Sequence, residues 1–525
     1  MEGHTAQPKS HVTSRLILTI VAAAMGSFQF GYNVGVINAP ESLIKSFMNK
    51  TQERREGSPM SDQSIRNLWA LTVAIFAVGG CIGGVLAGWW ATRFGRKGGS
   101  LLNIIFGVVS CILLFVSRVA GSYEMIIIGR ILIGFHSGLY TGLSPMYLSE
   151  ISTSSMRGGI GVLHQVAVTA ALLLSQILGF PELLGTAEYW NILLGLAIAP
   201  CLVQAMILPF CPESPRYLLI TKKNEKMCRE ALMTLRGTAD IEDEVNEIKQ
   251  EMLSCDDEKI SIIQLFRDPT LRSPMFIGMV MQLSQQFSGV NGVFFYSTSL
   301  FTNVIGSETK ARYATSAVGA IMVTMTIVTI PLMDRLGRRT LHLTGLGGMA
   351  VFSILVTVTL ALQTKVDWFG VASIACVLAY IVFFATGPGS IPWLIVAELF
   401  SHDARPAAMS VCVLVNWLSS FVVGFIFPSL QEALTDYTFL PFTVLLVLFF
   451  LYTFFVAPET KGKTFEEVTS LWRKNPNSAR SSPLEKVLAE NAGRTDTKPK
   501  YGSTNEAYMS DCENSVKDVA YNTKL

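Results

Sequence analysis

Long stretches without Asp, Glu, Lys or Arg alternate along the chain with short segments that hold nearly all of its charge. The uncharged runs cover 16–40, 67–92, 98–117, 131–149, 158–181, 189–212, 273–307, 313–333, 340–364, 368–397, 406–431 and 437–458, each of 19 or more residues. A helix rises about 1.5 Å per residue, so roughly 20 apolar residues cross about 30 Å of hydrocarbon. The pattern therefore predicts an all-α multipass membrane protein with twelve transmembrane helices. Six runs precede the charged stretch Glu213–Arg272 and six follow it. The expected organisation is a cytoplasmic N-terminus (1–15), an N-terminal six-helix bundle (16–212), a cytoplasmic helical linker (213–272), a C-terminal six-helix bundle (273–458) and a polar, largely disordered tail (459–525). Within the linker, Ile241, Val245, Ile248 and Met252 form an apolar stripe on an acidic helix, and Gly237 closes the helix before it.

Short motifs repeat across the two halves. Arg93-Phe94-Gly95-Arg96-Lys97 returns as Arg335-Leu336-Gly337-Arg338-Arg339; Glu150 with Arg157 returns as Glu398 with Arg405; Pro212-Glu213 returns as Pro458-Glu459. The three spacings agree to within six residues, which makes the halves structural repeats in parallel orientation, as in carriers whose halves rock about a midplane site.

Composition agrees with a membrane location: half of the 525 residues are hydrophobic and 15% are charged, against about 25% in soluble domains. Orientation follows from Lys and Arg in the short loops. Arg93, Arg96, Lys97, Arg157, Arg335, Arg338, Arg339 and Arg405 lie on one side, against Arg118, Lys310, Arg312 and Lys365 on the other. The heavier side is cytoplasmic, and both termini and the linker go with it. The first exterior loop, about 41–66, then holds Asn49-Lys50-Thr51, the chain's one N-x-[ST] acceptor with a permitted middle residue, a candidate glycosylation site. Of the nine cysteines, none falls in an exterior loop of this topology, so free thiols are expected. The net charge of +2, without a basic stripe, points to no nucleic acid.

Several chemistries are missing. Gly462-Lys463-Thr464 has Ala457 where a phosphate-binding loop needs its first glycine, so nucleotide-driven pumping is not expected. No metal-ligand spacing or enzyme signature appears, and His136, His164 and His342 read as helix-packing residues. The twelve runs contain no ionisable carboxylate or ammonium; Asn33 offers an amide that cannot titrate. Proton- and ion-coupled carriers keep ionisable groups in the membrane, so the expected substrate is neutral and moves down its gradient without a cofactor.

Amides are present instead. Gln282, Gln285, Gln286 and Asn291 crowd the seventh run, where three share a helix face and Asn291 would lie opposite unless Gly289 and Gly292 unwind the helix. Gln165 and Asn416 add amides in the fifth and eleventh runs. Trp393 follows Gly387-Pro388-Gly389-Ser390-Ile391-Pro392, which cannot be a straight helix. Amides with an aromatic face suit a neutral polyhydroxylated ligand such as a hexose. Glu150, Arg157, Glu398, Arg405, Arg93, Arg96, Arg335, Arg338 and Arg339 lie at helix ends and read as a cytoplasmic gate that latches the halves.

The chain resembles the animal-type facilitative glucose (hexose) transporters of the sugar-porter family in the major facilitator superfamily. The resemblance covers about 12–470 and rests on Gly31-Tyr32-Asn33 through Asn38-Ala39-Pro40, Pro145 through Glu150, Pro212-Glu213-Ser214-Pro215-Arg216, Gln282 through Asn291, Gly387 through Trp393, and Pro458 through Gly462. It implies a rocker-switch uniporter in the plasma membrane, with a neutral monosaccharide held by Gln165, Gln285, Gln286, Asn291, Trp393 and Asn416 and further contacts from Gln282 and Asn33. The triplet Gln282-Leu283-Ser284 resembles glucose-preferring members. Ala385, Met322 and Phe295 depart from the residues usual at their positions, Glu, Asn and Tyr, which keeps a fructose or dual-hexose carrier as the alternative. Proton–hexose symport and non-transporting sugar sensing are the remaining readings. The terminal Thr523-Lys524-Leu525 fits the carboxylate pattern of a PDZ-type scaffold ligand.

Overall fold

The computed structural model describes residues 13–153, 156–254, 260–363, 365–366, 368–401, 404–461 and 463. The ends of the tail, with Thr523 and Leu525, lie outside the described residues, so the scaffold motif has no structural account. The described part is helical. The first six spans are α1 (Ser14–Gly35), α2 (Asp62–Phe94), α3 (Arg96–Val116), α4 (Glu124–Ile151), α5 (Arg157–Leu178) and α6, which is divided into Trp190–Gly195 and Ile198–Ile207. The second six are α7, in two pieces (Pro269–Gln286 and Val290–Ile305), α8 (Glu308–Leu336), α9 (Arg338–Leu362), α10, again in two pieces (Trp368–Thr386 and Ile391–Leu399), α11 (Arg405–Leu434) and α12 (Leu440–Val456).

Length and composition qualify nine of these stretches as membrane-crossing among the described residues, fewer than the twelve expected from the uncharged runs. The shortfall has local causes. The apolar part of α5, Val162–Leu178, and α12 are shorter than 18 residues, and α7 is interrupted at Phe287–Gly289. Gly289 has φ +88°, a conformation that ends one helical piece and caps the next. The helices also outrun the uncharged stretches: Arg130 lies inside α4 and is fully buried with no carboxylate partner among the described residues, donating to the Asn33 and Val73 carbonyls and lying over the Phe76 ring. The expected loop 41–66 holds a 16-residue helix, Glu41–Glu56, capped by Gly57.

Helix pairings repeat with an offset of six. In the first half α2 packs on α4, α1 on α5, and α3 on α4 and α6; in the second α8 packs on α10, α7 on α11, and α9 on α10 and α12. The halves meet along α2 with α11 and along α5 with α8, which are symmetry-related pairings. The repeated turns match in detail. Gly95 (φ +81°) and Gly337 (φ +88°) each end one helix and start the next. Each following helix presents its first N–H groups to a carboxylate: Arg96 and Lys97 donate to Glu213, and Arg338 and Arg339 to Glu459. A Cβ at either glycine would fall within 2.6 Å of that carboxylate, so the motif needs glycine for space as well as for φ.

Apolar stripes face outward. Leu102, Ile105, Val109 and Ile112 on α3, and Val444, Leu448, Leu451 and Phe455 on α12, are exposed at helical spacing. Such surface on a chain of this hydropathy fits lipid. The linker carries helices Glu225–Arg236 and Glu242–Ser254. Gly237 caps the first at φ +69°, and Ile241, Val245 and Ile248 are buried in its small core, with Met252 partly buried. Arg236 ties it to the first bundle by donating to the Ile151 carbonyl.

Candidate functional site

The break in α7 brings the expected amides together. Ending the first piece at Gln286 and restarting at Val290 turns Asn291 onto the side of the glutamines, where a continuous helix would have placed it opposite. Asn291 Nδ2 donates to Gln286 Oε1 and, at 2.8 Å, to Ser420 Oγ on α11. Gln286 Nε2 donates to Asn416 Oδ1 at 3.0 Å, and Asn416 Nδ2 donates to Gln282 Oε1 and Gln285 Oε1, both at 2.7 Å. Gln285 Nε2 donates at 2.8 Å to the carbonyls of Pro388 and Gly389. Those carbonyls are available because α10 is interrupted between Thr386 and Ile391 and because Pro392 has no N–H to offer the Pro388 carbonyl. Gln282 Nε2 is buried without a partner.

The cluster is therefore an uncharged lattice of donors and acceptors held by α7, α10 and α11. Ser420, the two α10 carbonyls and Tyr380, whose hydroxyl donates to the Ser288 carbonyl, were not legible as site residues; a serine or tyrosine on an apolar run carries no sequence signal. Of the other expected contacts, Trp393 starts the second piece of α10 and is half-buried against the main core. Gln165 on α5 is half-buried, and its side chain has no hydrogen bond among the described residues. Asn33 lies inside the first half, donating to the Gln29 carbonyl at 2.7 Å, with Oδ1 buried and unpartnered. Neither Gln165 nor Asn33 bonds directly to the cluster. Ala385, Met322 and Phe295 are all buried.

The sequence profile of the Sugar (and other) transporter family matches residues 19–472. The chain belongs to this family. Among similar proteins, the sheep "Solute carrier family 2, facilitated glucose transporter member 3" is 47% identical over 87% of this chain and 92% of its own length. The human protein of the same name is 44% identical over 92% and 97%, and the chicken "facilitated glucose transporter member 1" is 44% identical over 88% and 94%. Solved structures of the E. coli xylose transporter XylE superpose well. An inward-open, partially occluded form has TM-score 0.71 at 25% identity, covering 86% of this chain and all of its own. The proton:xylose symporter bound to 6-bromo-6-deoxy-D-glucose has TM-score 0.72 at 25% identity, covering 88% and 100%. The major facilitator architecture of this sugar transporter family is thus the architecture of this chain, and it is not an enzyme family.

The charged residues at the helix ends pair differently from the sequence reading. Arg96 meets Glu150 at 2.6 Å, and Ser214 donates to the same carboxylate. Arg338 meets Glu398 at 3.0 Å, and Thr460 donates to it. Glu398 therefore takes Arg338 from α9, while Arg405 donates to the Phe400 carbonyl; the Arg157 side chain lies outside the described residues. These bonds tie helices within each half. Arg93 lies against the Phe94 ring, Arg339 donates to the Phe454 carbonyl, and the Arg335 carbonyl accepts from Lys461.

Bonds between the halves gather at the opposite end. Asn38 Nδ2 donates to the Phe294 carbonyl and to Ser297, and its Oδ1 accepts from Thr298 N. Arg66 pairs with Glu432 at 2.7 Å, Arg312 donates to the Gly185 carbonyl, and Tyr313 donates to Glu182. Among the described residues, every hydrogen bond and ion pair between the two bundles lies at this Glu41 end. The three membrane histidines bond neighbouring helices: His136 bonds Gln29, His164 lies 2.7 Å from Ser27 Oγ, and His342 lies 3.1 Å from Ser284 Oγ. Asn49, half-buried on the helix Glu41–Glu56, accepts from Met60 N, and Thr51 is buried.

Proposed function

We propose that this chain is a facilitative transporter of hexose, D-glucose foremost, moving sugar down its gradient by alternating access across the plasma membrane. The observation that carries the reading is the lattice Gln282, Gln285, Gln286, Asn291 and Asn416: buried, uncharged, and built on the broken α7 and on α11 beside the carbonyls of the broken α10. Sugar hydroxyls both donate and accept, and amides answer both roles. The names of the relatives at 44–47% identity support the same substrate and the uncoupled mode. Asn33 supports uniport, because the buried Arg130 beside it donates to its backbone carbonyl and has no carboxylate partner among the described residues.

In this reading Gln165 and Trp393 complete the sugar site when the halves close on substrate. The Glu150 end is cytoplasmic, with both termini, and the Glu41 end is exterior, with Asn49 as a glycosylation acceptor. The bonds between bundles then lie at the exterior, which corresponds to an inward-facing state. The pairs Arg96–Glu150 and Arg338–Glu398 brace each half internally, and the gate consists of these braced ends meeting and parting as the halves rock.

Proteoliposomes containing the full chain test the proposal. Labelled D-glucose should equilibrate without accumulating, and an inward proton gradient should not change the plateau; accumulation above equilibrium would replace uniport with symport. Competition by unlabelled fructose tests the substrate. The three apolar residues Ala385, Met322 and Phe295 are the observation favouring a dual-hexose carrier, and fructose competing as well as glucose would select that reading.

A further inference from the structure

A polar cavity lies at the exterior end, between the halves and away from the amide lattice. It has a volume of about 160 Å³ and is walled on one side by Glu41, Ser42 and Lys45 and on the other by Thr298, Asn303 and Glu308, among others. Glu41 is the unusual member. It is 7% exposed, its Oε1 meets Lys45 Nζ at 2.5 Å, and its Oε2 is buried with no partner. Glu308, in contrast, is satisfied by Ser42 at 2.6 Å and Arg312 at 2.5 Å. Burial pushes the Glu41 carboxyl above its usual range, with Lys45 opposing the shift.

A buried carboxylate oxygen without a donor is costly, because it forfeits the hydration it would have in water. Because burial also favours the protonated carboxyl, whose O–H donates, a group that can both donate and accept a hydrogen bond belongs there. A metal cation is disfavoured: the Lys45 ammonium already sits on the same carboxylate, and Arg312 balances Glu308, so the cavity has no net negative charge to attract one. A hydroxyl donor fits, and the hydroxyls and amide on the facing wall supply further partners for a neutral polyol. The cavity is smaller than the roughly 300 Å³ at which ordinary ligand pockets begin, so it takes one edge of a sugar and leaves the rest in solvent.

We propose that this cavity is an exterior subsite for a neutral hexose, formed by the unpartnered Glu41 oxygen together with Asn303, and distinct from the central amide lattice. The inference rests on the hexose reading above and extends it. Its walls belong to different halves, and the same end carries the Asn38, Arg66 and Arg312 bonds that join the bundles. Sugar seated there binds the exterior-closed state and not the open one, so it shifts the carrier toward the inward-facing form. High exterior hexose should then slow uptake, a self-inhibition with its own site.

Saturation-transfer NMR tests this, with the full chain in phospholipid nanodiscs and D-glucose as the probe. Wild type should give sugar signal from both sites. Gln286→Ala should retain a clear part of it, and adding Glu41→Gln, nearly isosteric with the native side chain, should lower the remainder at least tenfold. Asn303→Ala in the Gln286→Ala background should lower it about threefold and tests the site from the other half, should the Glu41 variant fold poorly. Loss of all signal in Gln286→Ala alone overturns the second site while leaving the hexose reading intact. Residual signal equal with and without both exterior substitutions also overturns it. No sugar signal in folded wild type overturns the hexose reading and the subsite together.

Discussion

Two buried polar networks, one in each half, show how the same side-chain chemistry can act as glue or as a site. In the first half, Gln29 Nε2 donates to Gln204 Oε1, Tyr140 donates to the same oxygen, Gln204 Nε2 donates to the Ala22 carbonyl, and His136 bonds both Gln29 and the Asn103 carbonyl. Gln29, Gln204, His136 and Asn103 are all 0% exposed and join α1, α3, α4 and α6. In the second half, Gln285, Gln286, Asn291 and Asn416 are 5–8% exposed, with Gln282 at 0%; the α7 amides flank the break in that helix, Asn416 joins them from α11, and Gln285 bonds the carbonyls of the α10 break. The first network is sealed, and its α6 member Gln204 lies well inside the second piece of that divided helix, away from the break. The second keeps a small opening and draws on backbone carbonyls freed by the breaks, so its partners can be exchanged for those of a ligand. A break directly beside the amides separates the two roles; amide content does not.

The comparison can be broken most severely at Gly289. A Cβ there would lie 2.7 Å from the Phe442 ring, and φ +88° strains any other residue by about 1–3 kcal/mol before the clash is added. Gly289→Val should leave little folded protein on size-exclusion chromatography. Normal yield with wild-type transport would mean that the break is not what makes the site. Next in size, Gln286→Ala should reduce glucose flux by about tenfold to a hundredfold, the scale of one or two lost polar contacts, while the melting temperature in detergent hardly moves. Gln204→Leu should do the reverse: removing one partner from a sealed network costs about 1–3 kcal/mol, read as a lower melting temperature with KM for glucose unchanged. A raised KM in that variant would extend the site into the first half.

The smallest effect lies outside both networks, in the linker. Lys249 and Arg229 hold the Glu225 carboxylate below its usual range, and Arg229 does the same to Glu242. A lowered folded-state pKa makes these groups stabilising above the ordinary carboxylate range and removes the contribution as pH falls through their depressed values. The groups are exposed, so the effect is modest. Limited proteolysis in the linker should quicken as the pH falls from about 5 through the ordinary carboxylate range and below it, and Arg229→Ala should flatten that dependence.

Much of the fold was legible because hydrocarbon imposes a simple rule: a charge-free run of adequate length becomes a helix. The rule fixed where the spans lie, and the repeated Arg-x-Gly-Arg, Glu–Arg and Pro-Glu motifs revealed the two halves. It misjudged continuity, since an uncharged run says nothing about a positive φ at Gly289. It also hid Arg130, which looked like a boundary because charge was taken to mark helix ends. The candidate site was half legible. The crowding of Gln282, Gln285 and Gln286 and the glycines beside Asn291 could be read from spacing, but the choice of Asn416, Ser420 and the α10 carbonyls as their partners could not. Glu398 shows the same limit: seven residues from Arg405 in the chain, it pairs with Arg338 on another helix.

The amino-acid sequence by itself determined the solvent of this protein, its spans, its internal repeat and the neutrality of the α7 amides, because these depend on side-chain transfer energies and short-range backbone preferences. Tertiary structure alone decided which amides face one another, which charges pair, and at which end the halves are joined. Those outcomes depend on distances between helices remote in the chain, and a shift of a few ångströms turns a sealed hydrogen bond into an open one.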